Sequence, residues 1–159
     1  MHFILYLKVY NSIDAHSTCI AVRIDFEMYK IQVVDNGCGI ERDDLKRIAS
    51  RYNTSKCYSL EDYQNRKLPS HGYRGEALSS IREVSALLQI TSCTRRDGET
   101  YISLFVKGQR RPVEKAVNDR GVKGTNVILK DFYYTLPVRQ KCMKPVIEMV
   151  IYISQCTMS

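Results

Sequence analysis

The segment Asp35-Asn36-Gly37-Cys38-Gly39-Ile40 carries the strongest signal in this chain. It follows the alternating apolar run 30–34, so a carboxylate stands at the end of a predicted strand with two glycines close behind it. A carboxylate in a dry pocket is a strong acceptor for the amino group of a purine such as adenine, and glycine lets the backbone pass close to a flat base. The segment predicts a nucleotide site in which Asp35 binds the base and Gly37 and Gly39 lie against it. On these residues alone, an aspartate that caps an ordinary turn stays a second interpretation.

Apolar periodicity around this segment predicts an α/β fold. Residues 20–27 alternate between apolar and polar side chains, as in a half-buried strand, and a turn near Met28 and Tyr29 joins them to run 30–34 as an antiparallel hairpin. Further strands are predicted at about 86–93, 101–106 and 125–129, with Asp97-Gly98 as a hairpin turn, and helices up to Ala15, over 41–50, over 76–84 and from Pro137. The expected architecture is a two-layer sandwich, a mixed, mostly antiparallel sheet with helices on one face.

The segment 50–70 differs from its surroundings. It is polar, with few apolar residues and little periodicity. Such a pattern favours a mobile loop over packed structure. We interpret it as a lid.

Composition indicates a single compact domain, because 159 residues with 44% hydrophobic content can bury one core. Six cysteines form no Cys-x-x-Cys pair and no histidine stands at metal-ligand spacing, so no zinc site is expected. The apolar run 3–7 is too short to cross a bilayer, and no membrane partner is expected. Lys and Arg outnumber Asp and Glu by eleven to ten in residues 1–80 and by thirteen to seven in residues 81–159. Any polyanion-facing surface is therefore expected in the second half.

Several blocks, taken in order, resemble the ATP-binding domain of the MutL family of DNA mismatch-repair proteins. That family is a branch of the GHKL (Bergerat) ATPases, which also include gyrase B, Hsp90 and histidine kinases. The resemblance covers about residues 8–144, and the block Gly72–Leu78 is its most specific part. Three blocks, at 11–15, 51–57 and 136–143, are most similar to the third eukaryotic branch of the family. The blocks that carry the family resemblance are Asn11-Ser12-Ile13-Asp14-Ala15, the segment 35–40, Thr54-Ser55-Lys56, Gly72-Tyr73-Arg74-Gly75-Glu76-Ala77-Leu78 and Gly124-Thr125.

The resemblance implies ATP and Mg²⁺ as ligands and assigns roles to single residues. Asn11 would bind Mg²⁺ through its amide oxygen, since this ion needs only one or two protein ligands beside the phosphates. Ala15 would line the pocket, whereas Asp14 more simply makes a structural hydrogen bond. Thr125 would support the adenine end through its hydroxyl.

The phosphates are expected at the loop before helix 76–84, because unpaired backbone N–H groups and the helix dipole favour an anion there. By resemblance this is the family's phosphate loop, closing together with the lid. Arg74 could contact phosphate or pair with Glu76 or Glu83. Lys56 could contact phosphate from the lid or stay solvated. The loop residues assigned to nucleotide binding are Gly72, Tyr73, Arg74, Gly75, Glu76, Ala77 and Leu78.

The chain departs from the family at the position of the general base. One helical turn before the magnesium-binding asparagine the family has a glutamate that activates water, and here Leu7 stands. Leucine cannot accept a proton, and loss of a general base typically costs about 10²–10⁴ in rate. We expect no catalytic residue at this place. The family's S5-like second domain and C-terminal dimerisation domain are not expected within 1–159, and both ends look like unrelated sequence of an incomplete gene model.

The resemblance implies that ATP acts as a switch for lid closure and dimerisation on DNA. Expected partners are another MutL homologue in a heterodimer, a MutS-type mismatch-recognition complex and DNA, in the nucleus, with meiotic recombination as a setting. The alternative is a nucleotide- or DNA-binding module without hydrolysis, which Leu7 favours. Its DNA contacts could be basic groups at Arg95-Arg96, Arg110-Arg111 and 139–144, although scattered surface charge explains these as well. A histidine kinase or chaperone ATPase would not explain the block Gly72–Leu78.

Overall fold

An eight-stranded sheet forms the frame of the molecule, with strand order β5-β4-β3-β7-β2-β1-β8 and β6 paired to β4. The structure is a computed structural model that describes residues 9–49, 76–96, 98–141 and 148–154, and the side chains of these except 76, 77 and 148–154. Every strand pairing within these ranges is antiparallel. The elements are α1 (9–14), β1 (Cys19–Asp25), β2 (Lys30–Asp35), α2 (Arg42–Arg47), α3 (Glu76–Val84), β3 (Ser85–Cys93), β4 (Thr100–Val106), β5 (Gln109–Arg110), β6 (Glu114–Lys115), β7 (Gly124–Phe132), α4 (Pro137–Lys141) and β8 (Glu148–Ser154).

The predicted alternation along the first hairpin is confirmed. In β1 and just beyond it, the side chains of residues 20, 22, 24 and 26 are buried, and in β2 those of residues 31, 33 and 35 are buried. The turn between the strands is held by Asp25, whose Oδ1 accepts hydrogen bonds from the backbone N–H groups of Glu27 (3.0 Å) and Met28 (2.9 Å). Tyr29 completes the turn at φ 43°.

One hydrophobic core lies between the sheet and the helices. Leu45 of α2 and Ile81 of α3 are almost fully buried in the same cluster as the inward residues of five strands, and Val9 of α1 packs against it. Because all three helices contact this one cluster, they cover one face of the sheet. The α/β two-layer architecture predicted from the sequence is therefore confirmed.

Helix α2 is shorter than the predicted 41–50. Ile48 leaves the helix at ψ 149° and Ala49 adopts φ 58°, so the helical path ends at Arg47. Leu45 and Ala49 are nevertheless buried and Ile48 packs against the core. The burial pattern was therefore predicted, whereas the end of the helix was not.

Two arginines surround the end of α2, and we call this group the arginine corner: Arg82, Arg110, Phe105 and the carbonyls of residues 45, 48 and 49. Arg110 donates hydrogen bonds to the carbonyl oxygens of Leu45 (2.8 Å) and Ile48, and Arg82 donates to that of Ala49 (3.0 Å). Both guanidinium groups lie over the Phe105 ring, at 4.7 Å for Arg110 and 5.9 Å for Arg82. Burial, and secondarily the neighbouring charge of Arg82, lowers the pKa of Arg110.

Three strands lie outside the sequence prediction. β5 and β6 have two residues each, which is too short for any periodicity to be read. β8 pairs with β1 along its whole length, from Cys19↔Ser154 to Asp25↔Glu148, and forms an edge of the sheet. The β3–β4 hairpin and α4 are confirmed, although residue 97 of the predicted turn and the predicted lid 50–70 lie outside the described residues.

In the described part of the chain, none of the helices is long and apolar enough to cross a bilayer.

Candidate functional site

The sheet register brings three distant segments together at one end. β7 lies between β2 and β3 and runs antiparallel to both, so its first residues meet the last residues of the other two. Thr125 is paired with Ser92 of β3, and Val34, which precedes Asp35, is paired with Asn126. Asp35 and Thr125, ninety positions apart in sequence, are therefore neighbours.

The carboxylate of Asp35 is the centre of this site, and the residue is only 7% exposed. Its Oδ1 accepts hydrogen bonds from the backbone N–H groups of Gly37 (3.0 Å) and Thr125 (3.1 Å). Its Oδ2 accepts one from the hydroxyl of Ser12 (2.9 Å), in α1. A carboxylate has about four acceptor positions, two on each oxygen. Oδ1 is filled, whereas Oδ2 keeps one acceptor position that no described residue occupies.

Glycines at this site are required by close approach of the backbone. A Cβ at Gly37 would lie 2.7 Å from both the Cβ of Ala15 and the Oγ of Ser17. Gly39 has φ +81°, and its Cβ would overlap the carbonyl oxygen of Cys93 and lie 2.9 Å from the carbonyl carbon. The two predicted glycines are thus positions that no other residue fills without displacement of the backbone. Ala15, predicted to line the pocket, lies directly against Gly37.

Hydroxyl groups complete the site behind Asp35. Ser92 accepts a hydrogen bond from the N–H of Ile40 (2.8 Å) and lies within hydrogen-bond distance of the Thr125 hydroxyl (3.1 Å) and the Gly124 carbonyl (3.1 Å). Ser92 is 1% exposed and Thr125 is 6% exposed. The Thr125 hydroxyl is therefore held by Ser92, while its backbone N–H contacts the Asp35 carboxylate; its role at the base end stays a prediction.

Arg120 fixes the backbone of the aspartate. The Nη2 of Arg120 donates a hydrogen bond to the carbonyl oxygen of Asp35 (3.0 Å), and the backbone N–H of Arg120 donates one to Thr100 Oγ1 (2.9 Å). Gly124 passes so close to this carbonyl that a Cβ there would overlap it. The end of β2 is consequently held from both sides.

Asn36 has a structural role. Its Oδ1 accepts hydrogen bonds from the N–H groups of Thr18 and Cys19, both at 2.9 Å, and its Nδ2 donates to Thr18 Oγ1 (2.8 Å). It thereby ties the turn after α1 to the turn after β2. The N–H of Cys38 adds a bond to the carbonyl of Ala15 (2.9 Å).

The predicted phosphate end is only partly described. Asn11 lies half-buried on α1, directly before Ser12. Leu78 lies in the first turn of α3 and packs against the core, and residues 76 and 77 are helical. The predicted contacts Lys56, Gly72, Tyr73, Arg74 and Gly75, and the substituted position Leu7, lie outside the described residues.

Sequence reasoning missed Ser12, Ser92 and Arg120 as parts of the site. Ser12 could have been found, because it lies next to Asn11 in a predicted block. Ser92 and Arg120 carry no local signal, since their roles depend on strand register and on the path of the chain before β7.

A known family of ATPases matches the part of the chain that contains this site. The family described as "Histidine kinase-, DNA gyrase B-, and HSP90-like ATPase" matches residues 4–125, which include Asn11, Asp35 and Thr125. The chain belongs to this family. Its predicted membership among the GHKL ATPases is thereby confirmed, and the site at Asp35 lies within the matched part of the ATPase domain.

Individual relatives of this ATPase domain are mismatch-repair proteins. The DNA mismatch repair protein Mlh3 of Homo sapiens is 41% identical over 138 residues, and the DNA mismatch repair protein MutL of Fervidobacterium nodosum is 40% identical over 134 residues. These alignments cover 87% and 84% of this chain but 9% and 21% of the relatives. The chain therefore spans about a tenth of the first relative and about a fifth of the second. The predicted resemblance to MutL proteins, including the third eukaryotic branch, is confirmed.

A solved structure supports the same grouping. The Aquifex aeolicus MutL ATPase domain complexed with ADP is 27% identical, with a TM-score of 0.59, and the alignment covers 89% of this chain and 47% of that chain. A MutL ATPase domain of this fold thus binds a nucleotide.

Of the basic side chains predicted as alternative DNA contacts, one is held within the fold and another lies near a carboxylate at the surface. Arg110 is held in the arginine corner, and Arg96 lies 3.6 Å from the carboxylate of Glu41. Arg111, Arg139 and Lys141 are exposed. Among the described residues there is no cluster of His, Cys, Asp and Glu that could hold a metal ion.

Proposed function

We propose that this chain is the ATP-binding domain of a MutL-type DNA mismatch-repair protein. The observation that carries the proposal is the carboxylate of Asp35, which receives hydrogen bonds from Ser12, Gly37 and Thr125. These three residues come from three separate blocks of the sequence resemblance, and their contact is what a single nucleotide pocket requires. The family match and the ADP complex of a MutL relative support the same function.

Base recognition follows from the remaining acceptor position on Oδ2. The 6-amino group of adenine is a donor and can bind there, whereas the 6-keto oxygen of guanine would meet a second acceptor. Gly37 and Gly39 let the segment after β2 pack closely against Ala15 and Cys93, and the N–H of Thr125 helps to hold the carboxylate in place. The site is therefore suited to adenine rather than guanine.

The residues present also fit Mg²⁺ and the phosphates. Asn11 offers an amide oxygen on the helix that carries Ser12, and no side-chain hydrogen bond of Asn11 is found within the described residues. An oxygen ligand of this kind suits Mg²⁺, which when bound would neutralise phosphate charge. The amides of Gly72–Leu78 would hold the phosphates at the start of α3, with Arg74 and Lys56 adding charge.

We infer that ATP serves as a conformational switch rather than as a fuel for a separate reaction. ATP would close the lid 50–70 and promote dimerisation with another MutL homologue on DNA. We propose a MutS-type complex as partner, nuclear localisation and a setting in meiotic recombination, and the similarity to a DNA mismatch repair protein supports the repair role on which these rest.

The test is nucleotide binding with a matched pair of variants. Asp35→Asn must keep its carbonyl toward the two N–H groups and so turns an amide N–H₂ toward the base amino group. We expect the affinity for a fluorescent ATP analogue to fall roughly 30- to 100-fold, because the new amide donor would face the amino donor of the base in a buried site. Asp25→Asn is the control, because Asp25 also accepts two backbone N–H groups but lies at the β1–β2 turn. Equal affinity of Asp35→Asn and the unaltered chain would refute the site.

A second candidate function is ATP binding without hydrolysis, and Leu7 favours it. Single-turnover phosphate release should then be undetectable for the chain as written and should appear in Leu7→Glu. Turnover by the chain with Leu7 in place would contradict this candidate. Retention on DNA that does not weaken with rising salt would argue against the exposed basic groups as DNA contacts.

A further inference from the structure

Resting on the proposed function, we propose that Ser12 is a positioning residue that aims the carboxylate of Asp35 at the 6-amino group of the base. Ser12 is 3% exposed, and its hydroxyl donates to Asp35 Oδ2 at 2.9 Å. Asp35 is itself 7% exposed. Ser12 and Asp35 are thus two buried polar residues in direct contact, and Asp35 carries the acceptor that must be oriented toward the base.

The two oxygens of Asp35 are held differently. Oδ1 is bound by backbone N–H groups of Gly37 and Thr125, which belong to the frame of the sheet. These bonds hold Oδ1, but because the last torsion of aspartate is broad, the carboxylate can still rock within the tolerance of the hydrogen-bond lengths and angles, and this movement shifts Oδ2. Among the described residues Ser12 is the partner of Oδ2. The hydroxyl of Ser12 therefore sets the direction of the acceptor position that remains.

Ser12 also joins the base end to the phosphate end. It follows Asn11, the proposed Mg²⁺ ligand, in α1, and its carbonyl accepts a hydrogen bond from the N–H of Ser17 (3.1 Å). The turn after α1 is bound to the segment 35–40, because the carbonyl of Ala15 accepts a hydrogen bond from the N–H of Cys38 (2.9 Å). A displacement of α1 at the metal ligand would thus change the direction of the Asp35 carboxylate. Selection of the base and binding of the phosphates share one helix.

The experiment compares ATP with purine riboside 5′-triphosphate, which lacks the 6-amino group but keeps every other group of ATP. Both are titrated by competition with a fluorescent ATP analogue on the full chain and on Ser12→Ala. In the unaltered chain ATP should bind more tightly. In Ser12→Ala the affinity for ATP relative to that for purine riboside 5′-triphosphate should fall roughly three- to tenfold, as expected for one misaligned buried hydrogen bond.

The affinity ratio separates positioning from general support of the fold. A serine that only packs would, on removal, weaken both ligands by the same factor, and an unchanged ratio in Ser12→Ala would overturn the proposal. The control is Ser85→Ala, which deletes another buried hydroxyl, one that donates to the carbonyl of Ile81 (2.9 Å) away from the site. Its ratio should equal that of the unaltered chain.

A second variant and two further outcomes complete the test. Ser12→Cys has a side chain of similar size but a weak donor. If Ser12→Ala does not fold, the ratio of the two affinities is measured in Ser12→Cys instead. An unchanged ratio in Ser12→Cys also overturns the proposal. If the unaltered chain binds neither ligand, the proposed ATP function fails and this inference with it. If ATP binds but the ratio does not respond to Ser12, only the positioning role fails.

Discussion

The proposed base site, which consists of Asp35 with Ser12, Gly37 and Thr125, and the arginine corner both place a charged side chain among main-chain groups, but they use it in opposite ways. At the base site an anion accepts from N–H groups and a hydroxyl and keeps one acceptor position on Oδ2 of Asp35. In the corner, Arg82 and Arg110 donate into the carbonyls at the end of α2 and lie over Phe105. The Asp35 carboxylate therefore keeps one acceptor position for a ligand, whereas the two arginines fix the end of a helix.

This difference separates function from stability. Changes in the direction of the Asp35 carboxylate should alter ligand binding more than folding, because the sheet still supplies the two N–H groups. Changes in the corner should alter folding more than binding, because they leave helix-end carbonyls unpaired. Substitutions that move the backbone of the site itself should affect both.

The largest effect is expected for Gly39→Ala, which should break the base site through its backbone. Gly39 and Gly108 have similar positive φ values, +81° and +76°, so alanine is strained at either. Only at Gly39 would the new Cβ overlap the carbonyl of Cys93; at Gly108 nothing lies within 4 Å. We expect Gly39→Ala to lose roughly 2 kcal/mol or more of unfolding free energy beyond Gly108→Ala.

Urea unfolding of both glycine variants, together with ATP-analogue binding, measures this difference. Gly108→Ala should bind as the unaltered chain does, while Gly39→Ala should bind weakly even where it is folded. Equal unfolding free energies for the two variants would show that the approach of Gly39 to β3 is looser than the structure has it.

A middle-sized effect is expected in the arginine corner. Arg110→Ala removes the donors to Leu45 and Ile48 and uncovers the face of Phe105, and it should cost about 2 kcal/mol of unfolding free energy. ATP affinity should change by less than about twofold, since the corner does not touch the carboxylate of Asp35. Arg111→Ala, at an exposed neighbour, is the control and should leave the unfolding free energy within about 0.5 kcal/mol. If Arg110→Ala lost much ATP affinity but no unfolding free energy, the arginine corner would serve ligand binding rather than stability, which would contradict this prediction.

The smallest effect is expected at Asp119, beside the arginine that holds the backbone of Asp35. The hydrogen bond from Thr100, followed by that from the N–H of Gly121, lowers the pKa of Asp119 below 3.8. Because the folded pKa lies below the unfolded one, this carboxylate stabilises the fold above about pH 3.8, and its contribution disappears as the pH falls through the folded pKa. Thr100→Val should raise the Asp119 midpoint in a carboxyl NMR titration. Asp43, whose pKa Lys46 lowers, should not move in the same variant.

Much of this molecule could be predicted from the sequence because its signals are local. The alternation at residues 20–26 and 30–35 follows from the two-residue period of a strand, and the glycines at 37 and 39 stand next to the aspartate that they serve. Local sequence patterns were therefore enough for the fold class and for proposing Asp35 as the base-binding residue, and the resemblance of several sequence blocks was enough for the ATPase family.

Only the tertiary structure decided how that carboxylate is held. Ser12, Thr125 and Arg120 meet Asp35 across 23, 90 and 85 positions of sequence, and such contacts depend on strand register and helix packing, which periodicity does not encode. The early end of α2 has the same origin, since Arg82 and Arg110 reach its carbonyls from α3 and β5. The sequence by itself predicted which residues could bind a nucleotide. The packing determined the direction in which Asp35 offers its acceptor, because direction depends on three-dimensional contacts.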